Sequence, residues 1–509
     1  MNVLMVASET VPLAKTGGLA DVVGSLSGEL TRLGHNIRLV LPCYKDFGDQ
    51  IKDLVVAGTI QVPAMPVPLP VTVETGTINN VALILLRYDP FFARAGLYGE
   101  GGVDYPDNLA RFALFCRGAL EACRSLNWRP DLLHAHDWQA ALAVVYLKTL
   151  YQSDGHWASC RALFTIHNMG YQGIFPATEY TMTGLPWSEY TPDRLEFFSQ
   201  VNLLKGGIVY ADLVNTVSPT YAREIQTPEF GYGLEGVLQT RKERVFGIIN
   251  GIDYEQWSPQ SDPYLPAHYS VKNLAGKKTC KSALQREMKL PARSVPLLAV
   301  VSRLVPQKGI DLILNILPNL LALDLQIVLL GTGDPVVEQR LTGLQDRFPK
   351  KFAVRLSFDE GLAHRIEAGA DMFLMPSRYE PCGLNQLYSL SYGTVPIVRQ
   401  TGGLADTVMP YLPDDKKGKG TGFVFELPHP EVLFAMILLG LQVCHDEEEW
   451  KRLMLRGMRQ DFSWRHSAQE YVKLYEKALA VDQPAPAVPR DSFPRGHFRD
   501  LDLRLPFNP

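Results

Sequence analysis

The sequence predicts an α/β protein made of two units, each built on a parallel sheet. Two observations carry this prediction. Apolar runs of strand length alternate with stretches of helical spacing. A strand, Gly-rich turn, helix, strand order opens the chain at Val3 and starts again near residue 296, as in a parallel α/β sheet.

The elements follow in order. Val3–Ala7 is a short apolar run that leads through a polar loop to Gly17-Gly18, with helical spacing from Leu19 to Leu33 and a second strand over Ile37–Leu41. Further strands are expected over Val81–Leu86, Leu132–Ala135, Ala162–Ile166, Leu213–Thr216 and Val245–Ile249. Helices are expected over Asn108–Ser125, Gln139–Tyr151 and Arg194–Tyr210. Residues 254–290 are rich in Pro, Asp, Ser and Lys and read as a connector. The second series holds strands at Pro296–Val301, Leu325–Leu330, Phe352–Leu356, Met372–Met375 and Val395–Val398. Its helices are Gly309–Leu321, Pro335–Phe348, Leu362–Gly369 and Leu384–Tyr392. A last helix runs from Ser463 to about residue 480. The expected division is 1–253, 254–462, the helix 463–480 and a Pro-rich tail 481–509. The tail is extended or disordered, or is laid along the surface by Phe493, Phe498 and Phe507; no function is assigned to it.

Composition narrows the function classes. The chain has 509 residues, 46% hydrophobic and 20% charged, with a formal charge of -4. That is enough to bury a large core, and it provides no basic excess for nucleic acid or an anionic membrane. The longest apolar runs, Val81–Leu86 and Val432–Leu439, fall far short of the ~20 residues of a membrane helix. The N-terminus has no basic flank or cleavage pattern. Seven cysteines, with no C-x-x-C pair, read as reduced thiols.

Common nucleotide and metal motifs are missing. There is no G-x-x-x-x-G-K-[ST] and no H-E-x-x-H, and Gly331-Thr-Gly333 lacks its third glycine. His134-Ala-His136 has no third ligand at zinc-like spacing, and the D-x-D at Asp500–Asp502 lies in the tail. No metal site is expected. What remains is a set of polar residues at strand ends. They are Lys15 before Thr16-Gly-Gly, His136-Asp137-Trp138, His167-Asn168, Arg303 with Lys308, and Glu380-Pro-Cys-Gly383. Past the C-termini of parallel strands, such residues share one edge, where ligands bind. Two cations five residues apart suit a diphosphate leaving group. Each residue also has a plainer explanation: a solvated Arg/Lys pair, a satisfied core histidine, a Glu that caps a helix. Trp138, Tyr98 and Tyr171 read as core residues ahead of sugar platforms. Thr16-Gly-Gly-Leu-Ala-Asp21 recurs as Thr401-Gly-Gly-Leu-Ala-Asp406. Either copy could be a convenient turn. Together they suggest two helix N-termini able to hold a diphosphate or a reacting sugar.

Taken together, Lys15-Thr-Gly-Gly-Leu-Ala-Asp-Val22, His134-Ala-His-Asp-Trp-Gln139, Thr165-Ile-His-Asn168, Lys205-Gly-Gly-Ile208, Thr216-Val-Ser-Pro-Thr-Tyr221, Ile249-Asn-Gly-Ile-Asp253, Ser302–Gly309, Pro376–Gln386 and Thr401–Thr407 resemble the bacterial glycogen synthases and plant starch synthases. They run in the family's order over about residues 1–480. The resemblance implies a GT-B fold, two Rossmann-like domains with the active site in the cleft between them, and a final helix that crosses back to the first domain. It implies glucose transfer from ADP-glucose to the non-reducing-end 4-hydroxyl of an α-1,4-glucan such as glycogen or starch, with retention, ADP released, and no cofactor.

The same resemblance assigns roles. Arg303 and Lys308 would bind the phosphates, helped by the backbone at Gly17, Gly18 and Thr401-Gly402-Gly403. Lys15, with Asp21 in the same motif, would lie near the diphosphate and the glucose. Glu380, Cys382 and Gly383 would hold the glucosyl hydroxyls, and His167 would contact the sugar near the anomeric centre. Asp137, Trp138 and Asn250 are acceptor-side candidates. Phe358 stands where the family often has an adenine-stacking tyrosine. Lys15, His167, Arg303, Lys308 and Glu380 form the catalytic set. No carboxylate is an obvious β-face nucleophile, so the reading is same-face attack, with the departing phosphate taking the acceptor's proton. Tyr388 stands where related folds place a second glutamate, a difference the family shares, and Asn385 stands where many bacterial members have Thr, as in some plant isoforms; neither weakens this set.

A bacterial cytoplasm is the simplest home, although a mature plastid enzyme would look similar. Competing readings are a sibling that prefers UDP-glucose or a short maltooligosaccharide, and a non-catalytic glucan-binding scaffold. The intact catalytic set argues against the scaffold.

Overall fold

A computed structural model describes the whole chain except residues 45–46, 48–49, 64–66, 414–417 and 482–509. The tail therefore lies, from residue 482, outside the described residues. The chain forms two compact units. One comprises Met1–Val217, Ala222–Ile248 and the segment from Trp464 onward; the other comprises Ser218–Tyr221 and Ile249–Ser463. The units thus part at 248/249 and 463/464, a few residues from the expected 253/254 and one from 462/463. Asn250, placed by sequence in the first domain, belongs to the second.

The first unit holds a nine-stranded sheet. Its order is Val245–Gly247, Leu213–Thr216, Arg161–Ile166, Leu132–His136, Asn2–Val6, Asn36–Pro42, Val81–Arg87, Leu69–Ile78, Lys52–Val62. The first seven are parallel; the last two add on antiparallel. Val3 and Met5 face a cluster that includes Leu26 and Leu30 of the Gly18–Arg32 helix and Tyr471, Leu474 and Tyr475 of the Trp464–Leu479 helix. Leu4 and Val6 on the other face are also fully buried. Covering both faces is why these strands read as unbroken apolar runs.

Two segments depart from expectation. The antiparallel edge was not foreseen, because Lys52–Val62 is largely exposed along its length and so lacks the alternation of a half-buried strand. Arg194–Tyr210 is not one helix. It folds as the hairpin Glu196–Phe197 / Gln200–Asn202, followed by a helix over Leu203–Tyr210. Phe198 and Ser199 turn the hairpin at positive φ, and the Asn202 side chain caps the helix by accepting the Lys205 N–H at 2.9 Å.

The second unit holds six parallel strands in the order Phe352–Arg355, Gln326–Leu330, Leu297–Val301, Met372–Met375, Val395–Arg399, Phe423–Phe425. Side chains alternate between faces as the pleat requires. Leu298, Val300, Ile327 and Leu329 join a core with the Ile310–Ala322 and Pro430–Cys444 helices. Leu297, Ala299, Val328 and Leu330 face Leu284, Leu362 and Ile366 on the other side. Leu284 belongs to a helix, Ala275–Glu287, inside the stretch expected to be a connector.

Candidate active site

Each sheet reverses its winding direction once, and the polar strand ends gather at those reversals. In the first unit the chain winds outward from Asn2–Val6 through Asn36–Pro42, then returns to place Leu132–His136 on the other side of Asn2–Val6. Such a reversal, where loops leave neighbouring strands towards opposite sides of the sheet, is where open α/β sheets bind ligands. Here Lys15–Gly18 leaves one strand, and His136–Asp137 leaves the other.

Lys15 is exposed and pairs with Asp21 at 2.8 Å. The loop around it is braced from below. Thr16 donates its N–H and its hydroxyl to the Glu9 carboxylate at 2.5 and 2.7 Å. The Tyr98 hydroxyl donates to the same carboxylate at 2.5 Å and meets Ser8 Oγ at 2.7 Å. Sequence reading missed Glu9. Its only signal is an acid directly after the first strand, although it is just 3% exposed. Gly17 begins the helix with no side-chain cap, and Gly17 and Gly18 are exposed.

Asp137 opens the Asp137–Lys148 helix at a φ of 56°, a strained conformation for a residue with a side chain. Its Oδ1 accepts the His167 backbone N–H at 2.7 Å. Burial pushes its carboxyl up to about 7, against the hydrogen bonds that favour ionisation. His167 ends the neighbouring strand, half-buried, with its Nε2 at 3.0 Å from His136 Nδ1. Burial holds its imidazole down to about 3, so it is neutral at ordinary pH. Trp138 packs against Phe112, with ring centroids 5.0 Å apart, and against Phe175 and Tyr98.

In the second unit the reversal falls between Leu297–Val301 and Met372–Met375. The loops leaving them carry Arg303 with Lys308, and Ser377 to Gly383. Lys308 donates to Glu380 Oε2 at 2.6 Å, and the Ser377 hydroxyl donates to the same oxygen at 3.0 Å. Gly309, at a φ of 65°, lets the two loops approach, since a Cβ there would stand 2.1 Å from the Pro376 carbonyl. Arg303 is exposed and has no ion pair among the described residues. Phe358, past the edge strand, is 85% exposed.

Cys382 is buried, and desolvation raises its thiol to about 12 despite a backbone hydrogen bond at Asn250. Asn250 thus stands beside the Glu380 loop, its Oδ1 buried without a partner. The Gln386 amide holds the Cys382 and Gly383 carbonyls, each at 3.0 Å. The second Gly-Gly copy is packed into this loop: Gly403 donates its N–H to the Glu380 and Pro381 carbonyls at 3.1 and 3.2 Å. That N–H braces the loop. Among the described residues no group of three or more His, Cys, Asp and Glu is placed to hold a metal ion.

A starch synthase catalytic domain model matches residues 2–240, and a glycosyl transferases group 1 model matches 284–450. The chain is 46% identical over 487 residues to the glycogen synthase of Syntrophotalea carbinolica, covering 94% of this chain and 99% of that one. The chain belongs to the glycogen and starch synthase family. It is a family of glucosyltransferases. The glycogen synthase of Myxococcus xanthus is 44% identical over 94% of this chain and all of its own length. Among solved structures, the catalytic domain of starch synthase IV from Arabidopsis thaliana, bound to ADP and acarbose, aligns with a TM-score of 0.86 at 36% identity, over 94% of this chain and 99% of that one. Sucrose-phosphate synthase from Thermosynechococcus elongatus, at 17% identity and a TM-score of 0.60 over 94% of this chain and 99% of its own, shares the fold. The fold is GT-B, with two Rossmann-like domains. No helix among the described residues is long and apolar enough to cross a membrane.

Proposed function

We propose that this glycogen/starch synthase family member takes ADP-glucose as donor. It adds glucose to the non-reducing-end 4-hydroxyl of an α-1,4-glucan with retention of configuration, and releases ADP in the cytoplasm without a metal cofactor. One observation carries the reading: Arg303, Lys308 and Glu380 gather at the winding reversal of the second unit, with Lys308 and Glu380 2.6 Å apart. Lys308 and the exposed Arg303 would hold the diphosphate and stabilise charge on the departing ADP. Glu380, with Cys382 and Gly383, would hold glucosyl hydroxyls. Phe358 offers an open face to adenine. Support also comes from the Arabidopsis relative, a starch synthase solved with ADP and acarbose.

In the first unit, Lys15, positioned by Asp21, and the uncapped backbone at Gly17 and Gly18 would add positive potential at the diphosphate. His167 would donate to the sugar near its anomeric centre. Asp137, Trp138 and Asn250 would serve the acceptor. Thr401, Gly402 and Gly403 would act on the donor by setting the Glu380 loop. With no β-face carboxylate assigned, the acceptor attacks from the face the ADP leaves, and the departing phosphate oxygen takes its proton.

The test is glucose incorporation into glycogen by the purified chain, with ADP-glucose and UDP-glucose in parallel and a chelator present. Incorporation from ADP-glucose well above UDP-glucose is expected. Glu380→Ala is expected to lose about a hundredfold or more of the turnover while staying folded. Trapping a covalent glucosyl-enzyme would overturn the same-face mechanism. A folded protein that is inactive with both donors and several primers would point to a scaffold.

A further inference from the structure

Three imidazoles lie in file across the Leu132–His136 and Arg161–Ile166 strands. His134 and His136, two residues apart on one strand, share a sheet face, with ring centroids 4.1 Å apart; His136 and His167 are 5.3 Å apart. Both nitrogens of His134 are used: Nδ1 meets the Tyr475 hydroxyl at 2.8 Å, and Nε2 meets Thr165 Oγ1 at 2.7 Å. Hydroxyls donate or accept, so either tautomer of His134 is satisfied.

His136 is different. Its ring is fully buried. Nδ1 faces His167 Nε2 at 3.0 Å, and its own Nε2 is buried without a partner. Burial keeps both rings neutral, so one proton lies between them. If His136 carried its proton on Nε2, a buried N–H would be left with no acceptor. If the proton is on Nδ1, only a lone pair is orphaned, and proteins tolerate an orphaned acceptor better than an orphaned donor. His136 therefore donates from Nδ1, and His167 accepts at Nε2. That leaves the His167 proton on Nδ1, which has no partner among the described residues. The backbone of His167 is anchored independently by Asp137.

We propose that His136 is a positioning residue that sets the tautomer of His167, so that His167 presents Nδ1–H as a fixed, uncharged donor to a ligand oxygen. This rests on the reading of His167 as a sugar contact. The chemistry suits that place. A neutral N–H can bond a glucosyl oxygen without setting a full positive charge beside a centre that becomes oxocarbenium-like. The titratable groups beside the pair are His134 on the same strand, itself packed against Tyr471 and Tyr475 of the C-terminal helix, and Asp137 on the following helix, with Glu9 acting on it through space. No lysine or arginine is among them.

The experiment uses the full chain with ¹⁵N-labelled histidine. In the wild type, His167 should show a protonated Nδ1 and an unprotonated Nε2. His136→Asn keeps an N–H donor where Nδ1–H stood and should keep that tautomer. His136→Asp offers only an acceptor and should move the His167 proton to Nε2 and raise its pKa. His136→Leu should release both constraints. In glucose transfer, the Leu and Asp variants should lose tenfold or more in kcat, with an acid limb moving up towards pH 6–7. The Asn variant should recover most of that loss. If His136→Leu fails to fold, the wild-type spectrum and the Asn/Asp pair still decide. An Nε2-protonated His167 in the wild type, or equal kinetics in the Asn, Asp and Leu variants, would overturn the inference. The spectra need no substrate. The expected tautomer in a chain that transfers no glucose would therefore sink the functional reading and leave the tautomer assignment standing.

Discussion

Thr16–Asp21 and Thr401–Asp406 are one hexapeptide in two places, and their glycines are there for different reasons. A Cβ added at Gly17 or Gly18 would meet nothing within 4 Å. These glycines answer no demand from the chain itself, and an exposed, uncapped helix start is what a ligand approaching the backbone needs. A Cβ at Gly402 would stand 1.9 Å from the Glu380 carbonyl, and one at Gly403 would stand 2.0 Å from that of Cys382. There, glycine lets the chain press against the loop that carries Glu380. The last residue of each copy differs too. Asp21 pairs with exposed Lys15, while Asp406 accepts the N–H and hydroxyl of Thr220 at 2.9 and 2.6 Å. Identical sequence therefore marks an open, exposed turn in one unit and a structural brace in the other.

The sharpest way to break this comparison is Gly403→Ala. Backbone on both sides must move, so a loss of about 3 kcal/mol or more is expected, read as a lower denaturation midpoint. An unchanged midpoint would show that the two copies are alike.

A second contrast is chemical. The first unit's edge rests on neutral imidazoles, the second's on the Lys308–Glu380 ion pair. His134 is held down to about 3 by burial, and His136 well below its usual value. The unfolded chain binds protons at these sites from about pH 6.5 downward while the native chain does not. Their contribution is therefore complete above pH 6.5 and falls as pH drops, by roughly 1.4 kcal/mol per pH unit for each ring until its native pKa is reached. Asp137, raised to about 7, acts in the opposite sense, favouring the native state as pH falls from 7 towards 4. The net expectation is acid loss of stability, followed by urea titration at pH 7, 6 and 5. It should be smaller in His134→Gln after allowing for that variant's loss at pH 7.

Asp406→Asn weakens two charge-assisted bonds and should cost about 1–2 kcal/mol. Asp21→Asn breaks one exposed ion pair and should cost about 0–1 kcal/mol. Thermal unfolding of the two variants should rank them in that order. Gly17→Ala should change stability least, by about 0.5 kcal/mol or less, yet raise KM for the sugar nucleotide. A loss of stability as large as that of Gly403→Ala would remove the distinction between the copies.

Much of the fold could be read from the sequence. The buried parallel strands are unbroken apolar runs, and strands such as Met372–Met375 fall where the runs predict. What could not be read lacked that signal. Lys52–Val62 is an exposed edge strand, and the Phe198-Ser199 turn depends on a backbone conformation that neither residue advertises. The candidate site was legible where a polar residue follows a strand, as at His167 and Arg303. It was not legible at Glu9, whose burial beneath Thr16 and Tyr98 makes it a brace, because an acid after a strand ordinarily reads as a solvated one.

The sequence by itself determined the class of fold, the order of the strands along the chain and the polar residues at their ends. These depend on local periodicity, which is written in neighbouring residues. Only the tertiary structure decided which strand ends meet. The 72 positions between Lys308 and Glu380 close to a 2.6 Å contact because the sheet reverses its winding between their strands. The 341 positions between His134 and Tyr475 close to 2.8 Å because the C-terminal helix packs within the first unit. Such pairings depend on how sheets order their strands and bury both faces, and no local pattern encodes that.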